Sequence, residues 1–253
     1  RSSASTQRIL EECLEGTPLN SESALRLFST SGIDLHALCL TADYLRQEQC
    51  GDTVSYVINR NINFTNVCIK SCKFCAFARG IRSEEGYMLS PEQILAKTSE
   101  AVGMGATEIC LQAGLAPISN PHFYRHLLET IKSEFPDLHI HAFSPEEIKY
   151  GASLTGQSIH EYLSDLQSAG LGSLPGTSAE ILDDTLRKKI SPGRITTEQW
   201  LDVIRKAHEL EIPTTSTMMF GHVETLEQRI AHMELLRSVQ EETGGFTEFV
   251  PLS

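Results

Sequence analysis

The sequence predicts an α/β fold, a partial (βα)6 TIM-like barrel with a helical N-terminal extension, and three observations predict it. Strand-like and helix-like patterns alternate from about residue 54 to the end. Several helices open on a cap or first-turn proline, at Ser90-Pro91-Glu92, Asn120-Pro121, Ser144-Pro145-Glu146 and Thr196-Thr197-Glu198. The length, 253 residues with 40% apolar, suits one substantial core. Strands alternating with helices pair in parallel, and such sheets carry their sites at the strands' C-terminal ends.

The elements follow in order. From Thr6 to Gln49 the apolar residues fall in helical stripes, Ile9/Leu10/Cys13/Leu14, then Ala24/Leu25/Leu27, then Leu35 to Leu45. Residues 1–50 are therefore read as the extension and 51–253 as the core barrel. At Val54–Phe64 the period shortens to alternation, which reads as the first strand. Helix Pro91–Gly103, strand Glu108–Gln112, helix Pro121–Phe135 and strand Leu138–Phe143 come next. Helix Ser158–Ala169, a strand near Gly172–Leu174, helix Thr197–Leu210 and strand Pro213–Phe220 continue the pattern. Helix Leu226–Glu242 and strand Phe246–Leu252 complete six strands. The first residue is arginine rather than methionine, and the chain stops straight after an apolar strand-like run, so the expectation is a fragment lacking a C-terminal part.

Charge and hydropathy exclude some partners. With 21 basic against 33 acidic residues the formal charge is −12, which opposes binding to a phosphate backbone, so nucleic acid is not expected. No apolar run reaches the roughly 20 residues that span a bilayer, so no membrane is expected either. A cytoplasmic location is the expectation, with organelle targeting left open. Seven cysteines, an odd number without secretory features, argue for free thiols rather than a disulfide framework.

Three of those cysteines form a motif directly after the first predicted strand. Cys68, Cys72 and Cys75 stand as CxxxCxxC. A four-iron, four-sulfur cube held wholly by protein takes four thiolates, so three on one loop leave one iron open to an outside ligand. The amino and carboxylate groups of S-adenosyl-L-methionine (SAM) can occupy that iron, and an electron from the cluster then splits the sulfonium. A structural zinc site is the alternative, although no fourth Cys or His lies close by in sequence. Lys70, Lys73, Arg79 and Arg82 add local positive charge that favours an anionic cluster. His139 and His141 share one strand face, a spacing that suits either a metal or a pair of pocket or core histidines.

The string Asn63 to Cys68, continued by Cys72-Lys-Phe-Cys75-Ala-Phe-Ala, resembles radical SAM enzymes. More narrowly it is similar to the subgroup holding the tyrosine-using subunit of FO synthase and the futalosine-route enzymes of menaquinone synthesis. Leu174–Asp184, Ile190-Ser-Pro-Gly193, Pro213–Glu224 and Gln240–Pro251 resemble the FO synthase subunit. The resemblance implies a 4Fe-4S cluster on the three cysteines, with SAM bound by Gln112, Ala113, Gly114, Glu180, Met219, Gly221 and Glu224. It places Glu180 near the SAM ribose or the substrate amine, with helix capping the alternative for Glu180 and Glu224; Tyr87 and His222 are pocket candidates, a structural hydrogen bond being the alternative for His222.

The implied reaction belongs to coenzyme F420 synthesis. The Cα–Cβ bond of L-tyrosine is cleaved, and its 4-hydroxybenzyl group passes to 5-amino-6-(D-ribitylamino)uracil. An electron donor and the cyclising FO synthase subunit, fused or separate, are the implied partners. The rival expectations are a futalosine-pathway enzyme on the same scaffold and a non-catalytic, zinc-stabilised binding module.

Overall fold

The structure is a computed structural model that describes residues 2–253, and the chain divides into two compact units. The first comprises residues 1–56 with 223–234. Its helices are α1 (Ala4–Leu14), α2 (Ser21–Phe28) and α3 (Gly32–Cys50). Ser3 and Asn20 cap α1 and α2 by accepting from Thr6 N and Ser23 N. Asp34 of α3 also accepts from Ser3, at 2.7 Å from the amide and 2.8 Å from the hydroxyl. Ile9, Leu10 and Leu27 close a small core between these helices, matching the sequence stripes.

The second unit, residues 57–222 and 235–253, holds every strand. Strand β1 (Asn59–Ile62) leads to helix α4 (Pro91–Gly103). Strand β2 (Glu108–Leu111) leads to α5 (Phe123–Glu134), and β3 (His139–Ala142) to α6 (Pro145–Thr155) and α7 (Ile159–Ser168). Then come α8 (Asp184–Ile190), α9 (Thr197–Glu209), β4 (Thr214–Met219), α10 (Leu226–Thr243, its first part in the other unit) and β5 (Phe246–Leu252). Ser90, Ser144, Ser158 and Thr196 each close a capping box, so four entries into helices are fixed by side chains on the local sequence.

Among the described residues the named strands pair in parallel, and one isolated bridge, Thr65 with Met88, is antiparallel. β1 pairs with β2 and β2 with β3, in the register Asn59↔Glu108↔His139 and Asn61↔Cys110↔His141. β4 pairs with β5. Between them the chain at Ser173 and Leu174 forms only single parallel bridges, to His141 and Thr214. The strand expected near Gly172–Leu174 is therefore two bridging residues. The first strand is likewise shorter than its alternation suggests: Val54 and Tyr56 are exposed and unpaired in any ladder, and an extended segment without a partner is not a strand.

The two faces of the β1–β3 sheet differ in chemistry. Ile62, Ile109, Leu111, Ile140 and Ala142 are fully buried against Ile94, Leu127, Leu128, Ile131, Leu163 and Leu166 of the helices. Period-two alternation turns Asn59, Asn61, Glu108, Cys110, His139 and His141 to the other side. Parallel sheets ordinarily read as apolar on both faces because helices cover both. Here only one face meets that expectation. Trp200, Ile204 and Val239, all fully buried, centre a second core under β4 and β5.

Candidate active site

The cysteine loop is pinned from three directions by backbone hydrogen bonds. Cys68 N donates to Arg79 O at 2.9 Å, Ile69 N to Leu115 O at 2.9 Å and Lys73 N to Ile190 O at 2.8 Å. Amides also point at sulfur: Lys70 N lies 3.4 Å and Leu115 N 3.3 Å from Cys68 Sγ. The three thiols line one cavity of about 120 Å³ with Ala113, Gly114, Ser144, Glu146, Glu147 and Arg194. Gly114 is required there: a Cβ would sit 2.3 Å from Val67 O, so only glycine lets this turn approach the chain entering the cysteine loop.

Arg194 is the organising cation. Its Nη1 lies 3.6 Å from Cys72 Sγ and 3.2 Å from Glu180 Oε1, and its Nε lies 3.3 Å from Glu146 Oε2. Ser178 Oγ accepts from its Nη2. Burial opposes its charge, yet Glu180, Cys72 and Glu146 hold its pKa above the ordinary arginine value. Burial likewise raises the Cys72 thiol, while Arg194 pulls it back down. Glu180 adopts φ +44, and its second oxygen is 3.2 Å from the buried Arg187. Carboxylates answer two of the cations read from sequence: Lys70 Nζ pairs with Glu146 Oε1 at 3.1 Å and Arg79 Nε with Glu85 Oε2 at 2.5 Å. Half of the loop's four cations are thus neutralised, and the cation facing Cys72 comes from a distant part of the chain.

Other sequence-marked residues lie elsewhere. Gln112 turns to the polar sheet face, where its Nε2 donates to Cys110 Sγ at 3.0 Å and its Oε1 accepts from Thr177 Oγ1 at 2.8 Å. Tyr87 OH donates to Asn63 O at 3.1 Å. Met219 N donates to Glu180 O at 2.9 Å, and His222 Nε2 lies 3.0 Å from Met219 O, with Gly221 between them at φ +88. Glu224 belongs to the first unit, where Arg229 Nε donates to it at 2.7 Å. Arg194, Glu146 and Glu147 escaped the sequence reading. The helix-opening string Ser144-Pro145-Glu146 after a predicted strand was the available signal for the two glutamates, and Ile190-Ser-Pro-Gly193 for the arginine that follows it.

Three thiols in one cavity, amides directed at sulfur and a compensated cation beside Cys72 make an electron-rich donor set of the kind an iron–sulfur cluster takes. The chain belongs to the Radical SAM superfamily, whose family model matches residues 62–236, and the superfamily implies a 4Fe-4S cluster and SAM. The three thiols fit the cluster.

Within the superfamily the chain is similar to a 5-amino-6-(D-ribitylamino)uracil–L-tyrosine 4-hydroxyphenyl transferase of Methanothermobacter thermautotrophicus. The two are 49% identical over 247 residues, 98% of this chain and 67% of the relative. A Methanosarcina barkeri protein of the same name, numbered 2, is 50% identical over 92% of this chain and 59% of its own length. The chain thus spans roughly three fifths to two thirds of such relatives. Among solved structures, the FeFe-hydrogenase maturase HydG from Carboxydothermus hydrogenoformans superposes with a TM-score of 0.75 at 22% identity, over 98% of this chain and 56% of HydG, a likeness of fold. Among the described residues no helix is long and apolar enough to cross a membrane.

Proposed function

We propose that the chain is the radical-generating part of an enzyme that transfers the 4-hydroxybenzyl group of L-tyrosine to 5-amino-6-(D-ribitylamino)uracil. The observation that carries the substrate choice is the 49% identity along 98% of the chain to a transferase named for those two substrates. The parallel order β1–β2–β3, the bridges at Ser173 and Leu174, and the β4–β5 pair support reading the core as a partial (βα)6 barrel after a helical extension.

Cys68, Cys72 and Cys75 would hold a 4Fe-4S cluster with one iron open, supported by their common cavity. When bound, the cluster and SAM supply an electron and a sulfonium whose cleavage yields a 5′-deoxyadenosyl radical. Ala113 and Gly114 line the same cavity, which supports the Gln112–Gly114 turn as a backbone cradle for the SAM ammonium. For Glu180 the reading is contact with the SAM ribose or the substrate amine, supported by its ion pair with the guanidinium that also reaches Cys72. Met219, Gly221 and Glu224 are read as adenine-side residues, and Tyr87 and His222 as substrate-side residues. An electron donor and a cyclising partner subunit, fused or separate, complete the scheme, in the cytoplasm.

The test is anaerobic turnover of the full-length, iron- and sulfide-loaded protein with SAM, tyrosine and the diaminouracil, read by product mass. Deoxyadenosine together with the hydroxybenzyl adduct is the expected result. Deoxyadenosine formed with dehypoxanthine futalosine but never with tyrosine would overturn the substrate assignment. One bound zinc without sulfide would overturn the chemistry.

A further inference from the structure

The polar face of the β1–β3 sheet contains an arrangement that neither thiol chemistry nor SAM binding uses. Ser173 Oγ lies 2.7 Å from His139 Nε2 and 2.7 Å from His141 Nδ1. A hydroxyl has one proton and two lone pairs, so it can donate to only one of these rings, and the other must bring its own proton. The tautomers of the two histidines are therefore linked through one oxygen. The rings are held in place: Gly172 is needed because a Cβ there would lie 2.5 Å from His139 Cε1, and His141 sits in register beside Cys110. Glu108 Oε2 is 3.8 Å from His139 Nε2, and Glu108 itself accepts from Asn59 Nδ2.

We propose that His141, Ser173 and His139 form a proton relay that accepts one proton from a phenolic O–H or a uracil-type N–H bound against this face. The idea rests on the transferase reading for its substrate and on geometry for the relay. In the resting state His141 carries its proton on Nδ1 and donates to Ser173, while the Ser173 hydroxyl donates to His139 Nε2. The substrate's X–H bond breaks and leaves its electron pair on X, and the proton adds to His141 Nε2. The Nδ1 proton passes to Ser173 Oγ as the Ser173 proton passes to His139 Nε2. One X–H bond is lost and one N–H bond gained, and the positive charge ends on His139 beside Glu108.

The direction of transfer follows from the surroundings. Burial and the neighbouring His139 lower the His141 pKa to about 4, so an imidazolium does not rest there. The His139 side chain is 42% exposed and has the Glu108 carboxylate at hand. The titratable groups facing the pair are Glu108 and Cys110 of β2 and the two histidines of β3; the segment on the other side contributes the uncharged Ser173.

The experiment compares wild type, Ser173→Ala and His139→Gln as full, anaerobically reconstituted chains. Long-range proton–nitrogen spectra of the histidine rings should show both neutral rings as the Nδ1–H tautomer in wild type, with both rings altered by Ser173→Ala. In turnover, deoxyadenosine formation should stay near wild type in both variants. Adduct formation should fall about a hundredfold at neutral pH and recover as pH rises, the substrate then losing its proton to solvent. His139→Gln keeps a partner for the hydroxyl but cannot take the proton, so it separates the relay from packing. Ring signals unchanged by Ser173→Ala, or an adduct pH profile identical to wild type, would overturn the relay. If loaded wild type fails to convert tyrosine and the diaminouracil, the transferase reading falls, and the ring spectra still decide the relay.

Discussion

Glu147 shows how a single residue can make the site's scaffold sensitive to pH. It is buried at the third position of α6, and its Oε2 accepts from Ser144 N at 2.8 Å and Oγ at 2.7 Å. Burial pushes its pKa up to about 7, against the lowering pull of the Ser144 and Ala113 hydrogen bonds and of Arg194. With the folded value above the ordinary one, its contribution to stability is fully present below about pH 4.5 and is lost as pH rises through about 7. Glu147→Gln keeps the capping box without the ionisation. Denaturant titrations should find the variant gaining about 1–3 kcal/mol over wild type between pH 5 and pH 8. Arg194 gives the opposite lesson. Replacing it with methionine leaves Glu146 to Lys70 and Glu180 to Arg187 but removes the cation that bridges them, so a loss of about 1–3 kcal/mol is expected by denaturant unfolding. Removing the exposed Arg205–Glu242 pair should leave the denaturation midpoint close to wild type, because water and salt screen it.

At the scale of elements, the close approach at Gly114 ties one βα turn to another. Gly114→Ala would drive a methyl group into Val67 backbone and should cost about 1–3 kcal/mol. Iron bound per chain after reconstitution should fall with it, because Leu115 supports the cysteine loop through the same turn. Helix entries were readable from sequence because each cap is local: Ser90, Ser144, Ser158 and Thr196 use residues three positions on. Helix α4 carries the bounds its pattern predicts, whereas α6 is signalled only by its opening Ser144-Pro145-Glu146 and α8 is not signalled at all. A helix of seven residues, Asp184–Ile190, offers too short a period to read. The Ser173–Leu174 segment is apolar and strand-like, but ladder membership depends on neighbours far away in sequence. The cysteines could be read because their spacing is local. The Arg194–Glu146–Glu180 network could not, since it joins Arg194 to Glu146, 48 residues away, and to Glu180, 14 residues away, across separate segments.

Over the whole molecule, the cysteine loop is stitched to the turns at Leu115 and Ile190, so a ligand on the thiols couples three loops at once. Reconstitution should therefore slow amide hydrogen exchange in segments 66–79, 113–115 and 190–194 together, and chelation of the iron should release all three. Exchange that slows only between Cys68 and Cys75 would show the loops to be independent. In a chain of net charge −12, Lys70 and Arg194 are both matched by Glu146, so the site's local field depends on a few placed groups rather than on the surface as a whole.

The sheet with one apolar and one polar face divides its labour by residue parity. Every second side chain on β1, β2 and β3 is committed to the helices, and those between are free of that duty. Substitutions can therefore accumulate on the intervening positions without repacking a core, and core positions can drift without changing the polar face. A scaffold whose two sheet faces vary independently can keep its backbone while its sequence turns over.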